Sequence, residues 1–262
     1  MLPISEVFHS IQGEGMFTGA PSIFIRVIGC NLRCVFKGST CDTPYTSFCP
    51  ETAKYSSISD VLNAIEQIRE QYPNTEHIVI TGGEPLLYRK ELRELIRNIR
   101  QMMSAYITIE TNGTLPALEA SLGSGVDLYS ISPKLSTSEA SEEDVQKGII
   151  TEEWRQKHTH TRYNPDSLLN LIRSSNFQLK FVYSGPECIN EINHIIDDIM
   201  ERGIPSWMTD SYIKQRIMLM PEGINREQIE AHQLECVQAC VENGWQYCDR
   251  LHIRLWDSKR GV

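Results

Sequence analysis

Short apolar segments alternate with amphipathic helical patterns along most of the chain, and this alternation constrains the fold more than any other feature of the sequence. The predicted strands are residues 22–28, 77–81, 106–110, 128–132, 178–183, 216–220 and 252–256. The predicted helices are residues 59–72, 89–103, 116–122, 165–174, 187–201 and 227–242. Strands that alternate with helices form a parallel sheet through right-handed crossovers. We therefore predict an α/β fold with six to seven mostly parallel strands.

The 262-residue chain has no internal repeat and no change in composition that would mark a domain boundary. We predict a single domain over residues 1–262, in which residues 1–21 form an N-terminal cap strand and loop. Residues 135–164 are polar and only weakly periodic, and such a stretch is long for a connection within a compact domain. We predict that this segment is an inserted loop or lid.

The composition argues against several classes of partner. The formal net charge is −9, whereas a protein that grips nucleic acid through its phosphates needs clustered lysine and arginine. No run of about 18 apolar residues is present, so neither a transmembrane helix nor a membrane partner is expected. The first ten residues lack the basic and apolar regions of a signal peptide, which favours a cytoplasmic protein.

Eight cysteines in a reducing compartment are expected to be metal ligands or buried thiols rather than disulfides. Three of them, Cys30, Cys34 and Cys41, lie in the loop after the strand at 22–28. Thiolates bind soft metals, chiefly zinc and iron–sulfur clusters. A closed zinc site needs a fourth ligand, which Cys49 could supply, whereas a cluster with three protein thiolates leaves one iron open to a substrate or cofactor. The spacing alone leaves a cluster, a zinc site and inert thiols as alternatives.

Polar motifs follow several predicted strands at the point where each strand ends. Ligands bind at the carboxyl ends of strands in parallel α/β folds, so these motifs are expected to share one edge of the sheet. The Gly-Gly-Glu-Pro motif at 82–85 offers exposed backbone groups and a carboxylate, which suit a small zwitterion, although a plain turn from strand to helix can have the same residues. The other motifs are Glu110-Thr111-Asn112-Gly113, Ser132-Pro133-Lys134 and Met220-Pro221-Glu222-Gly223.

The cysteine loop and the Gly-Gly-Glu-Pro motif occur together, and in this combination the chain resembles the radical S-adenosylmethionine (SAM) superfamily. More narrowly, it resembles the 7-carboxy-7-deazaguanine synthase family over nearly the whole chain apart from residues 135–164. The motifs that carry this resemblance are Ser5-Glu6, Gln12-Gly13-Glu14-Gly15, Phe24-Ile25-Arg26, Gly29-Cys30-Asn31-Leu32-Arg33-Cys34, Cys41-Asp42-Thr43, Thr81-Gly82-Gly83-Glu84-Pro85, Glu110-Thr111-Asn112-Gly113, Ser132-Pro133-Lys134 and His252.

The resemblance implies a partial (β/α) barrel of the radical SAM type that forms a homodimer. It also implies the conversion of 6-carboxy-5,6,7,8-tetrahydropterin to 7-carboxy-7-deazaguanine with release of ammonia, a carbon–nitrogen lyase reaction of queuosine-type 7-deazapurine biosynthesis. The implied cofactors are a 4Fe–4S cluster, SAM and Mg2+, and the implied electron donor is a flavodoxin- or ferredoxin-type protein. SAM carries the radical in this family, so the resemblance assigns no protein side chain as a catalytic group.

The resemblance further implies roles for particular residues. The implied cluster ligands are Cys30, Cys34 and Cys41. The implied ligand of Mg2+ is the hydroxyl of Thr43, in keeping with the preference of this ion for oxygen. The implied SAM-binding residues are Phe36, Gly82, Gly83, Glu84, Ser132 and Lys134. The implied pterin-binding residues are Gln12, Gly13, Glu14, Arg26, Thr81, Glu110 and His252.

Other interpretations of these residues stay open beside the resemblance. Six residues separate Cys34 from Cys41 where the family usually has two, so Cys49 could compete as a ligand. The guanidinium of Arg26 suits a planar carboxylate, but Arg26 could also be a surface residue of an edge strand. His252 could be a hydrogen-bonded core histidine. The alternative functions are a radical SAM activase that installs a glycyl radical on a partner protein and a zinc-stabilised binding protein without catalysis.

Overall fold

A computed structural model describes residues 2–55, 57–118 and 125–261. The β-strands in these residues are β1 (Ile4–Ile11), β2 (Pro21–Val27), β3 (Val35–Phe36), β4 (Ser39–Thr40), β5 (His77–Gly82), β6 (Tyr106–Thr111), β7 (Leu128–Ile131), β8 (Asn176–Tyr183), β9 (Ile217–Pro221) and β10 (Gln246–Tyr247). The α-helices in the same residues are α1 (Ile58–Gln71), α2 (Arg89–Met102), α3 (Glu142–Gln146), α4 (Glu152–Thr161), α5 (Pro165–Ser174), α6 (Cys188–Glu201), α7 (Asp210–Lys214), α8 (Arg226–Asn243) and α9 (Leu251–Trp256).

Within the described ranges, eight strands form one sheet in the spatial order β1-β2-β5-β6-β7-β8-β9-β10. β1 pairs antiparallel with β2, and every other neighbouring pair in this sheet is parallel. β1 and β10 stand at the two ends of the order, so the sheet stays open, as in a partial barrel. The predicted α/β fold with a mostly parallel sheet is confirmed. Its strands number eight because the cap strand β1 joins the sheet and because the two-residue strand β10 was not predicted.

Most predicted elements are confirmed to within one or two residues. Several helices begin at a side chain that accepts a hydrogen bond from the first turn, as Ser57 does for α1, Asn164 for α5 and Asn225 for α8. Of the predicted helix at 116–122, residues 116–118 have no regular structure, and the remainder lies outside the described residues. No helix in the described part of the chain has both the length and the apolar character needed to cross a bilayer.

The predicted last strand at 252–256 is wrong, because these residues lie in the helix α9. Leu251, Ile253 and Leu255 alternate with polar residues, which is typical of a strand. A stretch of this length is too short for periodicity to separate a strand from a helix. In the structure the helix buries Ile253 and leaves Leu255 half exposed.

The central strands of the sheet are buried on both faces, and this fixes the positions of their carboxyl ends. Ile78 and Ile80 of β5 and Ile109 of β6 have no exposed surface, and they belong to one apolar core with Leu92 and Leu95 of α2. Burying one such side chain contributes about 1.5–3 kcal/mol. The motifs that follow these strands are therefore held on a rigid edge.

Residues 135–164, predicted as an inserted loop or lid, contain the helices α3 and α4. α3 begins with a capping box between Ser141 and Asp144. The segment contributes Ala140 and Ile150 to a small core that is separate from the main one. This core buries few side chains, so the sequence carries little of the apolar periodicity that would have predicted the helices. Closure of the segment as a lid stays a prediction.

Candidate functional site

A cavity of about 890 Å³ opens at the carboxyl ends of the parallel strands. The predicted site residues that line it are Gln12, Gly13, Glu14, Arg26, Cys30, Cys34, Phe36, Cys41, Thr43, Thr81, Gly82, Gly83, Glu110, Ser132, Lys134 and His252. Glu84 is the predicted site residue that does not line the cavity. The fold therefore brings together residues that lie far apart in the sequence.

A short hairpin places two of the three loop cysteines opposite each other. β3 and β4 pair Val35 with Thr40. The Cys41 N–H donates to the Cys34 carbonyl at 3.1 Å, which extends the pairing by one residue. Residues at facing positions of antiparallel strands lie about 4.5–5.5 Å apart. The six intervening residues therefore form a hairpin and leave Cys34 and Cys41 side by side.

Cys34 is buried, Cys30 and Cys41 are partly buried, and the three thiols lie close enough to interact electrostatically. Burial, followed by the charges of Glu84 and Cys41, raises the pKa of Cys30 to about 11, although the nearby Arg33 opposes the rise. Burial is also the largest cause of the raised pKa of Cys34 and of Cys41. As free thiols all three are protonated at neutral pH, so a bound metal has to displace their protons.

Cys49, the proposed competing ligand, is exposed and does not line the cavity. In residues 2–55, 57–118 and 125–261, no three His, Cys, Asp or Glu side chains are arranged around the position of a single metal ion. A closed zinc site needs four ligands around one ion, whereas a 4Fe–4S cluster bonds each thiolate to a different iron. Among the described residues, the loop cysteines therefore do not form a closed four-ligand zinc site.

The carboxylate of Glu84 joins the end of β5 to the end of β6 and is fully buried. Its Oε1 accepts hydrogen bonds from the Leu86 N–H and the Thr111 hydroxyl, each at 2.9 Å. Its Oε2 accepts one from the Asn112 N–H at 2.7 Å. Burial raises the pKa of Glu84, and these hydrogen bonds oppose the rise. With its carboxylate engaged in this way, a SAM contact by Glu84 would have to use the backbone.

Two glycines at the end of β5 let this strand approach the start of the cysteine loop. The Gly83 N–H donates to the Val27 carbonyl at 3.1 Å, and the Glu84 N–H donates to the Gly29 carbonyl at 2.8 Å. A Cβ on Gly83 would lie 2.0 Å from the Gly29 oxygen, and one on Gly82 would lie 2.2 Å from the Val27 oxygen. Both glycines line the cavity, but their absent side chains also allow β5 to support the loop.

Gly83→Ala is expected to destabilise the fold by about 1–3 kcal/mol, because the added methyl group overlaps the Gly29 carbonyl and forces the backbone to move. The measurement is the free energy of unfolding, obtained from urea titrations followed by circular dichroism. An unchanged unfolding midpoint would mean that β5 and the loop can separate without cost.

Three polar side chains from different elements meet at the cavity wall. The Thr81 hydroxyl donates to Glu110 Oε2 at 2.7 Å, and Gln12 Nε2 donates to Glu110 Oε1 at 3.1 Å. Gln12 Oε1 in turn accepts a hydrogen bond from the Glu14 N–H at 3.2 Å. This group presents amide, hydroxyl and carboxylate atoms to the cavity, which suit the alternating donors and acceptors of a polar heterocycle.

Two buried cations that sequence reasoning missed lie beside Glu14. Lys180 on β8 is 5% exposed and Arg250 is 6% exposed. Arg250 Nε donates to Glu14 Oε1 at 2.9 Å, and the Lys180 ammonium binds Glu14 Oε2. Arg250 also pairs with Asp42. Burial alone would raise the pKa of Glu14, but the charges of Lys180 and Arg250 outweigh it and hold this pKa well below its usual range. Lys180 is the one charged residue of β8, which was the available signal, and nothing in the sequence marked Arg250.

α9 places His252 on the cavity wall, directly against Gly13. A Cβ on Gly13 would lie 2.0 Å from His252 Nδ1, and the Leu251 N–H donates to the Gly13 carbonyl at 2.9 Å. Burial lowers the pKa of His252, so the ring is neutral at neutral pH. Because His252 lines the cavity and is partly exposed, the structure argues against its interpretation as a core histidine.

Arg26 lies on β2, between β1 and β5, so its interpretation as a surface residue of an edge strand is wrong. Its Nε donates to Glu6 Oε1 at 2.6 Å. Glu6 also pairs with Arg260, whose guanidinium stacks 3.5 Å from the centroid of the Tyr45 ring. A ligand carboxylate in the cavity would therefore meet a guanidinium that Glu6 already orients.

The remaining predicted site residues lie in loops and in the short strand β3, on the wall of the same cavity. The Lys134 ammonium donates to Ser132 Oγ at 2.7 Å, just beyond the end of β7. Phe36 projects from the hairpin strand β3, and Thr43 follows the cysteine loop. All four line the cavity, which thus carries an ammonium, hydroxyls and an aromatic ring close to the cysteines.

Comparisons with known proteins agree with this arrangement. The chain matches the family described as the radical SAM superfamily over residues 24–236. It is 36% identical over 257 residues to a 7-carboxy-7-deazaguanine synthase of Halobacterium salinarum, a match that covers 98% of this chain and 91% of the relative. It is 35% identical over 264 residues to the synthase of the same name from Rhodopirellula baltica, with 100% of this chain and 89% of the relative covered.

The fold has a counterpart among solved structures. The crystal structure of QueE from Escherichia coli superimposes with a TM-score of 0.62 at 24% sequence identity, and the match covers 96% of this chain and 94% of that one. This likeness supports the partial-barrel architecture. The family itself is shown by the superfamily match and by the two relatives, which align over nearly their whole length. The chain belongs to the radical SAM superfamily and, within it, to the 7-carboxy-7-deazaguanine synthase family.

Proposed function

We propose that this chain is a radical SAM enzyme that converts 6-carboxy-5,6,7,8-tetrahydropterin to 7-carboxy-7-deazaguanine with release of ammonia, in queuosine-type 7-deazapurine biosynthesis. Membership of the family supports the reaction class. The single observation that carries the proposal is that one cavity is lined both by the three loop cysteines and by an oriented arginine beside a set of amide and carboxylate groups.

The radical SAM superfamily implies a 4Fe–4S cluster and SAM, and the residues of the cavity fit both groups. Three cysteine ligands would leave one iron of a cluster available to SAM. When bound, the cluster supplies the electron that cleaves SAM. The proposed cluster ligands are Cys30, Cys34 and Cys41. The proposed SAM contacts are Phe36, Ser132, Lys134 and the backbone of Gly82, Gly83 and Glu84.

The contribution of the chain itself is to bind the pterin, to orient it and to exclude water. Arg26 would bind the pterin carboxylate through its guanidinium. The neutral ring of His252 can donate one hydrogen bond and accept another. The carboxylate of Glu14 is engaged by two buried cations, so we propose that Glu14 and Gly13 act through the backbone of their turn. The other proposed pterin contacts are Gln12, Thr81 and Glu110.

We propose that Mg2+ binds at the hydroxyl of Thr43. Mg2+ prefers oxygen ligands and keeps several of its waters, so one hydroxyl together with substrate oxygens is a sufficient ligand set. The neighbouring carboxylate of Asp42 is paired with Arg250, which leaves the Thr43 hydroxyl as the simpler contact.

The experiment that tests the function begins with anaerobic reconstitution of the protein with iron and sulfide. The protein is then incubated with SAM, a reductant, Mg2+ and 6-carboxy-5,6,7,8-tetrahydropterin, and the products are read by mass spectrometry. We expect 7-carboxy-7-deazaguanine, and less of it when Mg2+ is removed with a chelator. Cleavage of SAM without the deazaguanine product would contradict the proposed substrate and favour an activase. A protein that holds one zinc and no iron would favour a binding protein.

Arg26→Ala is expected to weaken binding of the carboxylated pterin about 10- to 150-fold, because a hydrogen bond to a charged group contributes about 1.5–3 kcal/mol. Calorimetric titration of protein that holds its cluster and SAM measures the affinity. Arg97→Ala is the matched control, since Arg97 is exposed on α2 and does not line the cavity. Unchanged affinity in Arg26→Ala would make this residue a structural partner of Glu6.

We propose that the protein forms a homodimer. α8 exposes Leu234 and Val241, which are 78% and 72% exposed and lie seven residues apart on one side of the helix. Exposed apolar side chains in such a row favour burial in an interface. Static light scattering measures the mass in solution, and a mass of a single chain at every concentration would contradict the dimer.

We propose that the electron donor is a flavodoxin- or ferredoxin-type protein. Replacing the chemical reductant in the product assay by either reduced protein should preserve product formation. Product formation with the chemical reductant but with neither of the two reduced proteins would contradict this proposal.

A further inference from the structure

Residues 135–164 are fastened at both ends. Arg162 pairs with Glu139 near the start of the segment and, at 2.7 Å, with Glu191 of α6. Arg162 Nη1 also donates to the Lys134 carbonyl at 2.9 Å, immediately before the segment begins. One side chain therefore closes the segment on itself and attaches it to the main domain.

The enlarged cysteine loop packs against this segment. Lys37 and Gly38 form the two-residue turn of the hairpin, with φ of +46° and +83°, as a type I′ turn requires. Val35, which is 1% exposed, shares its small core with Ala140 and Ile150 of the segment. The residues that enlarge the loop thus contribute to a second core that the segment completes.

Arg33 is the charged contact between the loop and the segment, and it lies between Cys30 and Cys34. Its guanidinium carbon is 4.0 Å from the centroid of the Trp154 ring and 5.7 Å from that of Phe48. Arg33 Nη1 donates to the Cys30 carbonyl at 2.9 Å. Its charge interacts with all three loop thiols. Stacking on an aromatic face restricts a side chain that would otherwise sample many rotamers.

His158 of α4 holds the backbone of the same arginine. His158 Nδ1 accepts a hydrogen bond from the Arg33 N–H at 3.3 Å, and Nε2 lies 3.0 Å from Ser138 Oγ. The Ser138 hydroxyl donates to the Leu135 carbonyl at 2.7 Å, so the hydrogen between His158 and Ser138 belongs to Nε2. Burial lowers the pKa of His158 to about 4, which keeps the ring neutral and leaves Nδ1 as an acceptor.

We propose that residues 135–164 are a rigid support for the cysteine loop, in which Trp154 and His158 position Arg33 so that its charge stabilises the reduced state of the bound cluster. The inference rests on the proposed function, because it takes the three cysteines as cluster ligands. One electron from an external reductant adds negative charge to the cluster, and a guanidinium held nearby favours that state. Arg33, Trp154 and His158 do not line the cavity, so they are positioning residues rather than contacts of SAM or the pterin.

The test measures iron content and midpoint potential in the reconstituted protein, with the potential read by electron paramagnetic resonance. Arg33→Gln is expected to lower the equilibrium constant for reduction of the cluster about tenfold. This corresponds to a shift of the midpoint potential by about 59 mV to more negative values. Trp154→Leu and His158→Ala are expected to shift the potential in the same direction by less. Trp154→Phe keeps an aromatic face for the guanidinium and is expected to keep the wild-type potential.

Two exposed residues give matched controls. His160 lies on the same helix as His158, and Trp207 is exposed and outside the cavity, so His160→Ala and Trp207→Leu are expected to behave as wild type. A wild-type potential in Arg33→Gln, or in both Trp154→Leu and His158→Ala, would overturn the inference. If circular dichroism shows that Trp154→Leu does not fold, the other two variants decide. A wild-type protein that takes up no iron would overturn the proposed function and the inference with it, whereas a normal cluster with unresponsive variants overturns the inference alone.

Limited proteolysis distinguishes a support from a lid. We expect residues 135–164 to resist cleavage in reconstituted protein that holds neither SAM nor pterin. Cleavage that these ligands suppress would identify the segment as a lid, and cleavage in both states would identify a mobile excursion. Either result would overturn the rigid support.

Discussion

Cys41→Ala is expected to leave the reconstituted protein with little or no cluster iron. Cys41 faces Cys34 across the base of the hairpin, and alanine at this position removes one of the three proposed cluster ligands. The exposed Cys49 does not line the cavity, so the described residues offer no replacement thiol at that position. Cys30→Ala is expected to give the same loss. Iron analysis and the visible absorption of the cluster measure the effect.

The matched control for this prediction is Cys49→Ala, which removes the nearest exposed cysteine along the chain and is expected to retain full iron content. Near-normal iron in Cys41→Ala would defeat the ligand assignment. Loss of iron in Cys49→Ala would show that the loop rearranges to use a fourth thiolate.

Glu14→Gln is expected to lower the free energy of unfolding by about 3–5 kcal/mol, the usual cost of leaving a buried charge without its partner. The substitution removes the negative charge between Lys180 and Arg250, whose side chains are 6% and 7% exposed. Arg250 keeps Asp42 as a partner, so the larger part of the loss is expected to arise at Lys180. Urea titrations of the protein without cofactors measure the unfolding free energy.

An exposed ion pair provides the control for this measurement. Lys147 and Glu143 lie 2.7 Å apart, with side chains that are 58% and 70% exposed. Pairs of this kind contribute about 0–1 kcal/mol, so Glu143→Gln is expected to change stability little. Equal losses in Glu14→Gln and Glu143→Gln would mean that the buried network adds no stability of its own.

The pH dependence of stability follows from the same carboxylate. The pKa of Glu14 is lowered in the folded protein from its ordinary value of 4.5. Its stabilising effect is therefore fully present above that value and is lost as the pH falls from there toward the folded-state pKa. The difference in stability between the wild type and Glu14→Gln is expected to shrink as the pH is lowered from about 7 to about 3. A difference in stability that does not vary with pH would contradict the ion pairs assigned to Glu14 with Lys180 and Arg250.

The parts of the site that could be predicted from sequence depend on local patterns. β5 is a short apolar run that ends in Gly-Gly-Glu-Pro, and parallel strands bring such endings to one edge whatever the lengths of the intervening helices. The same rule places Ser132 and Lys134 beside Glu110. For this reason all but one of the site residues that the resemblance implies line the cavity.

The remaining features depend on contacts between residues that are far apart in the chain. Glu14 and Arg250 are separated by 236 positions, and no local pattern reports which buried charge meets which. Apolar and polar residues alternate around His252, which predicts a strand, whereas these residues form the helix α9 and bury Ile253. The Gly-Gly-Glu-Pro motif correctly places Glu84 at the end of β5. Sequence spacing cannot reveal that the Glu84 carboxylate is buried and accepts hydrogen bonds that join β5 to the end of β6.

The base of the cysteine hairpin makes the residue count between Cys34 and Cys41 largely irrelevant to how close the two cysteines lie. One residue added to each strand lengthens the hairpin and keeps the two cysteines opposite, whereas one residue added to a single strand creates a bulge and turns a side chain away. Insertions at this point can therefore accumulate in pairs during evolution without separating the two cysteines. Motif searches that require a fixed spacing will overlook chains of this kind.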